Sequence, residues 1–140
     1  MNNKLIAIDT NIFIYFLEKN PQFGPQTKLL FDQLSANKMH AITSIISLIE
    51  LLSVEISEDR VSMLKNRFLQ LSNLQIFDVN QTVALDAARI RRKYHFRMSD
   101  SIQLATAEYA KVDMFITNDQ RLKRFKEVKL MFLDKKSSFE

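Results

Sequence analysis

Lys4-Leu5-Ile6-Ala7-Ile8-Asp9-Thr10-Asn11 is the stretch that decides the fold. Residues 5–8 form an apolar run with no helical gap in it. Such a run reads as a strand buried on both faces, as in parallel sheets. It ends at Asp9-Thr10-Asn11, and Ile12, Phe13, Phe16 and Leu17 then recur at helical spacing. A strand entering a helix through Asp-Thr-Asn places a carboxylate at the strand's carboxyl end. In open α/β sheets ligands bind at that edge. Asp9 also suits the cap of the following helix, and Thr10 is the alternative cap.

Further along, the same alternation recurs. A loop over residues 20–25 holds both prolines and the only glycine, Gly24. Helical patterns follow over 26–37, 45–54, 58–72 and 81–94, and again from Ser99 or Asp100. Strand patterns fall at 38–42, 74–79, 112–117 and 130–133. A short basic helix is expected over 121–126, and residues 134–140 read as a frayed tail. This order implies a parallel sheet with helices on both faces. No linker, repeat or low-complexity tract divides residues 1–140, which read as one domain.

Composition removes several classes of function. Cysteine is absent, which excludes disulfides, thiol catalysis and cysteine zinc sites and fits a cytoplasmic protein. One glycine leaves no Gly-rich phosphate loop. No apolar run is long enough for a membrane span, and Met1-Asn2-Asn3-Lys4 leaves no room for a cleaved signal peptide. A formal charge of +4 permits a polyanionic partner without demanding one.

Three further acids stand out. Thr43-Ser44 suits the cap of an apolar helix over 45–54, whose pattern is interrupted at Ser44, Ser47 and Glu50, one polar stripe on a helix expected to be buried. A buried carboxylate must be paired, neutralised or bound to a metal, so Glu50 faces a specific partner; an arginine is one alternative. Asp100 falls in the first turn of its helix, where amide dipoles favour an anion. Asp119 follows the strand over 112–117 through Thr117-Asn118, repeating the grammar of Asp9, although Asp after a strand is also ordinary turn chemistry. Four converging carboxylates repel one another, and an oxygen-only set suits Mg²⁺ or Mn²⁺ rather than zinc. Such sites activate water for attack on a phosphodiester.

Four segments together resemble the PIN-domain nucleases, and within them the VapC-type toxin ribonucleases of toxin–antitoxin systems. They are Ile8-Asp9-Thr10-Asn11-Ile12, residues 43–50 ending in Glu50, residues 99–107 containing Asp100, and Ile116-Thr117-Asn118-Asp119. The resemblance implies a PIN-like three-layer α/β/α sandwich around a five-stranded parallel sheet. It implies Mg²⁺- or Mn²⁺-dependent cleavage of RNA, such as tRNA or rRNA, with Asp9, Glu50, Asp100 and Asp119 as metal-binding acids. Thr10, Asn11, Ser47, Thr117 and Asn118 are then supporting or substrate contacts. A homodimer and a small VapB-type antitoxin are the implied partners. Two departures from the family pattern are the scarcity of glycine and Ser101-Ile102-Gln103 after Asp100, where an Ala-rich run is commoner.

Two basic stretches flank the acids. Residues 89–97 carry five positive charges, and a second group begins at Arg121. Arg91, Arg92, Lys93, Arg97 and Arg121 are candidate phosphate contacts, and Tyr94 or Phe96 candidate stacking partners for bases. A solvated helix face with Phe96 in the core is the structural alternative. His40 and His95 share no ligand spacing and read as surface residues. Two other readings of the whole chain stay open: a housekeeping PIN ribonuclease, and a degenerate PIN module that binds without cleaving. A haloacid-dehalogenase-type phosphatase fits poorly, because it needs a second aspartate where Asn11 stands.

Overall fold

The central strand β1 (Lys4–Ile8) alternates its side chains between two cores, and that alternation organises the molecule. The computed structural model describes residues 4–133. Ile6 and Ile8 point into one core with Phe13, Leu30 and Phe68. Ala7 points into the other with Ile42, Ile90, Leu104 and Phe115. Each of these side chains is almost fully removed from water. A buried Ile or Phe contributes about 1.5–3 kcal/mol relative to exposure.

The elements follow in the order α1 (Thr10–Leu17), α2 (Gly24–Ser35), β2 (Met39–Ser44), α3 (Ile46–Leu52), α4 (Glu58–Leu69), β3 (Leu74–Phe77), α5 (Gln81–Tyr94), α6 (Met98–Ala110), β4 (Met114–Thr117), a 3-10 helix (Gln120–Arg124) and β5 (Leu130–Phe132). All strand pairs are parallel, and the sheet order is β3-β2-β1-β4-β5. Helices α1, α2 and α4 supply the first core and α5 and α6 the second, so the three-layer α/β/α arrangement expected from the sequence is present. Phe13 is fixed between Phe31, at a ring-centroid distance of 5.7 Å, and Phe68, at 4.9 Å edge-on. No described helix is long and apolar enough to cross a membrane. The frayed tail expected over 134–140 lies outside the described residues.

Strand order reverses beside β1. The chain builds outward through β2 and β3, then crosses back to place β4 on the other side. Such a switch point opens a crevice at the carboxyl ends of the two strands. With Ile8 paired to Ile116, Asp9 and Thr117 lie side by side at that crevice.

Two sequence expectations need correction. Thr43 and Ser44 do not open a helix; they extend β2, paired with Ile76 and Phe77. Ladder hydrogen bonds and the β-branched Thr43 outweigh the capping signal, although Ser44 Oγ still accepts from Ile46 N at 3.1 Å. The helix α3 is also not buried all round. Ser47 and Leu51 are its buried residues, while Ile49 is 55% exposed. Ser47 and Glu50 bond Thr10 of α1, so the polar stripe turns inward and carries apolar Ile49 to the surface.

Candidate active site

Asp9 stands one residue past the end of β1, with its amide bonded to Ile116 O of β4 at 2.9 Å. Its Oδ1 caps α1 by accepting from Thr10 N at 2.8 Å. Its Oδ2 accepts from Thr117 Oγ1 at 2.6 Å. Capping and a place at the switch point therefore belong to one side chain. Burial pushes the Asp9 carboxyl up to about 6, against the lowering effect of the Thr117 and Thr10 bonds. The nearby negative charges of Asp100 and Glu50 push in the same direction as burial.

Glu50 is reached through hydroxyls. Thr10 Oγ1 donates to Glu50 Oε1 at 2.7 Å. That uses Thr10's one hydroxyl hydrogen, so Thr10 accepts from Gln103 Nε2 at 3.2 Å, and the single hydrogen of Ser47 Oγ goes either to Thr10 Oγ1 at 3.0 Å or to Thr43 Oγ1. Gln103 Nε2 also donates to Ser47 Oγ at 2.7 Å. Thr43 Oγ1 lies 2.8 Å from Ser47 Oγ and donates to Ile8 O at 2.8 Å. The polar stripe of α3 thus has its partner. Among the described residues Glu50 forms no ion pair with an arginine; a neutral threonine hydroxyl holds it. Thr10, Thr43, Ser47 and Gln103 are all buried, and each is hydrogen-bonded, as buried polar groups must be.

Gln103 ties α6 to α1 and α3, and sequence reasoning marked it only as a departure from pattern. Its signal was a polar residue in the Ala-rich stretch one helical turn after Asp100. Residues three apart share a helix face, so Gln103 follows Asp100 toward the site.

Asp100 and Asp119 meet two arginines. Arg97 Nε donates to Asp100 Oδ2 at 3.0 Å, and its Nη2 lies 3.7 Å from Asp119 Oδ2. Arg121 grips Asp119 through Nε, at 2.9 and 3.1 Å from the two oxygens, and through Nη2 at 2.5 Å. Arg121 Nη2 also lies 4.0 Å from Asp100 Oδ2. Asp119 N donates to Thr117 Oγ1 at 3.0 Å, so one hydroxyl joins the Asp9 and Asp119 ends of the sheet. The Arg121 hydrogen bonds hold the Asp119 carboxyl below its ordinary range.

The structure therefore brings all four acids to one sheet edge, linked through Thr10, Thr117 and two guanidinium groups. The donor set fits Mg²⁺ or Mn²⁺: carboxylate oxygens alone, with Asp9 sensing the charges of Asp100 and Glu50. In this side-chain arrangement no three acids or histidines among the described residues group closely enough to bind one ion. Asp100 and Asp119 have to turn from Arg97 and Arg121 to do so.

The remaining candidates divide. Asn11 lies in the first turn of α1, and its Oδ1 is buried with no hydrogen-bond partner among the described residues. Asn118 does not reach the acids; its Nδ2 donates to Tyr15 OH at 3.2 Å. Arg91 and Arg92 are exposed on α5. Lys93 pairs with Glu127 at 3.2 Å. The proposed base-stacking role of Tyr94 and Phe96 is overturned. Both rings are buried and stack on each other at 5.3 Å, with Tyr94 OH on Glu127 Oε2 at 2.9 Å. His40 and His95 are both exposed, as expected.

A second charged group lies outside these acids. Arg89 bonds Asp86 at 2.8 Å, Glu127 at 2.8 Å and Glu108 at 3.2 Å. Burial, followed by a hydrogen bond with Asp86, raises the Glu108 carboxyl to about 8. The Arg89 hydrogen bond lowers Glu127 to about 2. The group ties α5 and α6 to the segment before β5.

An all-parallel α/β sandwich with four acids at its switch point defines a class of protein, and comparison agrees with it. The PIN domain family model matches residues 6–128. The chain belongs to the PIN domain family. Its fold is similar to VapBC2 from Rickettsia felis bound to a DNA fragment from their promoter, at 20% identity over 93% of this chain and 99% of that one, with a TM-score of 0.76. DNA-bound VapBC from Salmonella typhimurium is similar at 18% identity, 92% and 98% coverage and a TM-score of 0.70. A toxin–antitoxin complex from Klebsiella pneumoniae is similar at 22% identity, 88% and 94% coverage and a TM-score of 0.64. A comparison with curated proteins finds no match.

Proposed function

We propose that this PIN domain is a metal-dependent endoribonuclease, a hydrolase of RNA phosphodiester bonds, and the toxin of a VapBC-type pair. The observation that carries the reading is the meeting of Asp9, Glu50, Asp100 and Asp119 at the β1/β4 switch point, around a buried Asp9. Asp9, Glu50, Asp100 and Asp119 are the residues that hold Mg²⁺ or Mn²⁺. When bound, the ion supplies Lewis-acid chemistry and lowers the pKa of water. Thr117 orients Asp9 and accepts from the amide of Asp119. Thr10, Ser47 and Gln103 fix the Glu50 carboxylate. Asp9 acts as its carboxylate, so a proton competes with the ion at this side chain, and Mn²⁺ binding tightens as pH rises through about 6, the value to which burial brings Asp9 in the metal-free protein. Arg97 and Arg121, beside the acids, are the basic side chains placed to meet phosphate.

The similarity to toxin–antitoxin structures supports a VapB-type antitoxin as partner. The same reading includes a homodimer, one PIN domain over residues 1–140, and action in the cytoplasm on tRNA or rRNA. Expression should arrest growth and accumulate a defined RNA fragment, and co-expression of the antitoxin should relieve both. Fragments without growth arrest would favour a housekeeping ribonuclease instead. The pairing of Asp100 and Asp119 with arginines favours a second reading, a degenerate module that binds no metal. Calorimetry with Mn²⁺ separates the two, since the degenerate module shows no binding at millimolar ion.

A further inference from the structure

Asp100 and Asp119 share two cations that belong to the chain itself. We infer that Arg97 and Arg121 are a resident counter-charge for this acid pair, that a divalent ion displaces them on entry, and that the freed guanidinium groups then hold RNA phosphates beside the cut. The inference rests on the metal-dependent ribonuclease reading above.

Three observations support the exchange. First, the hydrogen-bonded contacts are local in sequence, and only the longer ones, Arg97 to Asp119 at 3.7 Å and Arg121 to Asp100 at 4.0 Å, cross between the two segments. Arg97 immediately precedes α6, three residues before Asp100, and Arg121 lies two after Asp119. Side-chain rotation alone separates them, with no strand or helix moved. Second, both arginine side chains are open to solvent, at 60% and 57% exposure, while Asp100 and Asp119 are 9% and 14% exposed. The cations can leave without uncovering the core, and their departure frees both carboxylates to turn toward one ion. Third, the charges balance. Two guanidinium groups carry the same +2 as one Mg²⁺ or Mn²⁺, so the exchange preserves the net charge around the four carboxylates.

Arg89 shows the contrast within the same chain. Besides its neighbour Asp86 it bonds Glu108 and Glu127, both distant in the sequence and within 3.2 Å, and it is less exposed, at 38%, as a cross-linking arginine should be. The planar fork of a freed Arg97 or Arg121 matches phosphate as well as it matches carboxylate. The same residues therefore guard the acids before metal loading and meet the substrate afterwards.

The test is Mn²⁺ titration by calorimetry on the full chain, on Arg97→Gln/Arg121→Gln, on Arg97→Lys/Arg121→Lys and on Asp9→Asn. Exposed ion pairs oppose metal entry weakly, so the double glutamine variant should bind Mn²⁺ about three- to tenfold more tightly. The double lysine variant keeps the charge and should fall between it and the parent. Melting curves establish that each variant is folded. Binding of a short 2′-O-methyl single-stranded RNA in Mn²⁺ should weaken in the glutamine variant, and its salt slope should shrink by about 1.4. Unchanged or weaker Mn²⁺ binding in the glutamine variant, with Asp9→Asn losing binding, overturns the exchange and leaves the metal site standing. An unchanged RNA affinity overturns the phosphate role. Absence of Mn²⁺ binding in the parent and the variants alike overturns both the inference and the metal reading beneath it.

Discussion

Asp9→Asn should cost the protein its metal and make the metal-free fold more stable at neutral pH. Burial raises the Asp9 carboxyl from 3.8 to about 6 in the folded state. Between those values the folded state holds a proton that the unfolded chain has released. Stability from this group is therefore complete below about 4, falls as pH rises to about 6, and is flat above. The shift corresponds to about 3 kcal/mol lost at pH 7. Asparagine carries no charge and escapes that loss. Its Oδ1 retains the cap to Thr10 N, which leaves Nδ2 facing Thr117 Oγ1; an amide nitrogen donates and cannot accept, so the charge-assisted bond from Thr117 is lost, which returns roughly 1–2 kcal/mol. The balance is about 1–2 kcal/mol in favour of the variant at pH 7, or roughly 3–6 °C in melting temperature. At pH 4.5 the advantage should shrink or reverse. The assay is thermal melting of both proteins in chelator across pH 4.5 to 7.5. Subtracting the variant from the parent removes groups common to both, including Glu108, which titrates with the same sign. A difference that does not grow with pH refutes the reasoning, because Asp9 would then not be the strained acid. Added Mn²⁺ should raise the melting temperature of the parent alone.

Further outcomes follow from the surrounding network. Gln103→Leu removes two donated hydrogen bonds at near-constant volume and leaves buried hydroxyls short of a partner. It should lower stability by about 2 kcal/mol in denaturant melts and weaken Mn²⁺ binding by freeing Glu50; stability loss with unchanged Mn²⁺ affinity would make its role purely structural. Glu127→Gln removes a carboxylate that Arg89 holds at about 2. Its contribution is present above 4.5 and lost as pH falls toward 2, so the variant should be less stable by about 1 kcal/mol at pH 6, after solvent screening, and equal to the parent near pH 2 in urea melts. Thr117→Val loses the hydroxyl that joins Asp9 and Asp119, and should reduce cleavage while the far-ultraviolet circular dichroism stays unchanged.

Much of the architecture was readable because apolar runs and strand ends carry it. Residues 5–8 are apolar without a gap and became the central strand. Asp9 and Asp119 each follow a strand, and parallel pairing set them side by side. The polar stripe of Ser47 and Glu50 pointed to a specific partner and found one in Thr10. Other features depended on distances that only folding supplies. Thr43 looked like a helix cap but pairs in the sheet, because cap and strand signals share residue types. Ile49 looked like core but faces water, because a polar network drew the opposite side of α3 inward. Arg97 and Arg121 were read as phosphate contacts from their charge, while their grip on Asp100 and Asp119 needed the crevice to form. Tyr94 and Phe96 lie in a basic run, and only packing showed that their rings face each other.

The account's central claim is that four acids at one sheet edge run metal-dependent RNA cleavage. The direct measurement is cleavage of an end-labelled RNA pool by the purified protein with Mg²⁺ or Mn²⁺, beside Asp9→Asn and Asp100→Asn. Discrete fragments that disappear in chelator and in both folded variants are the predicted result. Cleavage that persists in chelator, or in both variants, would contradict the claim.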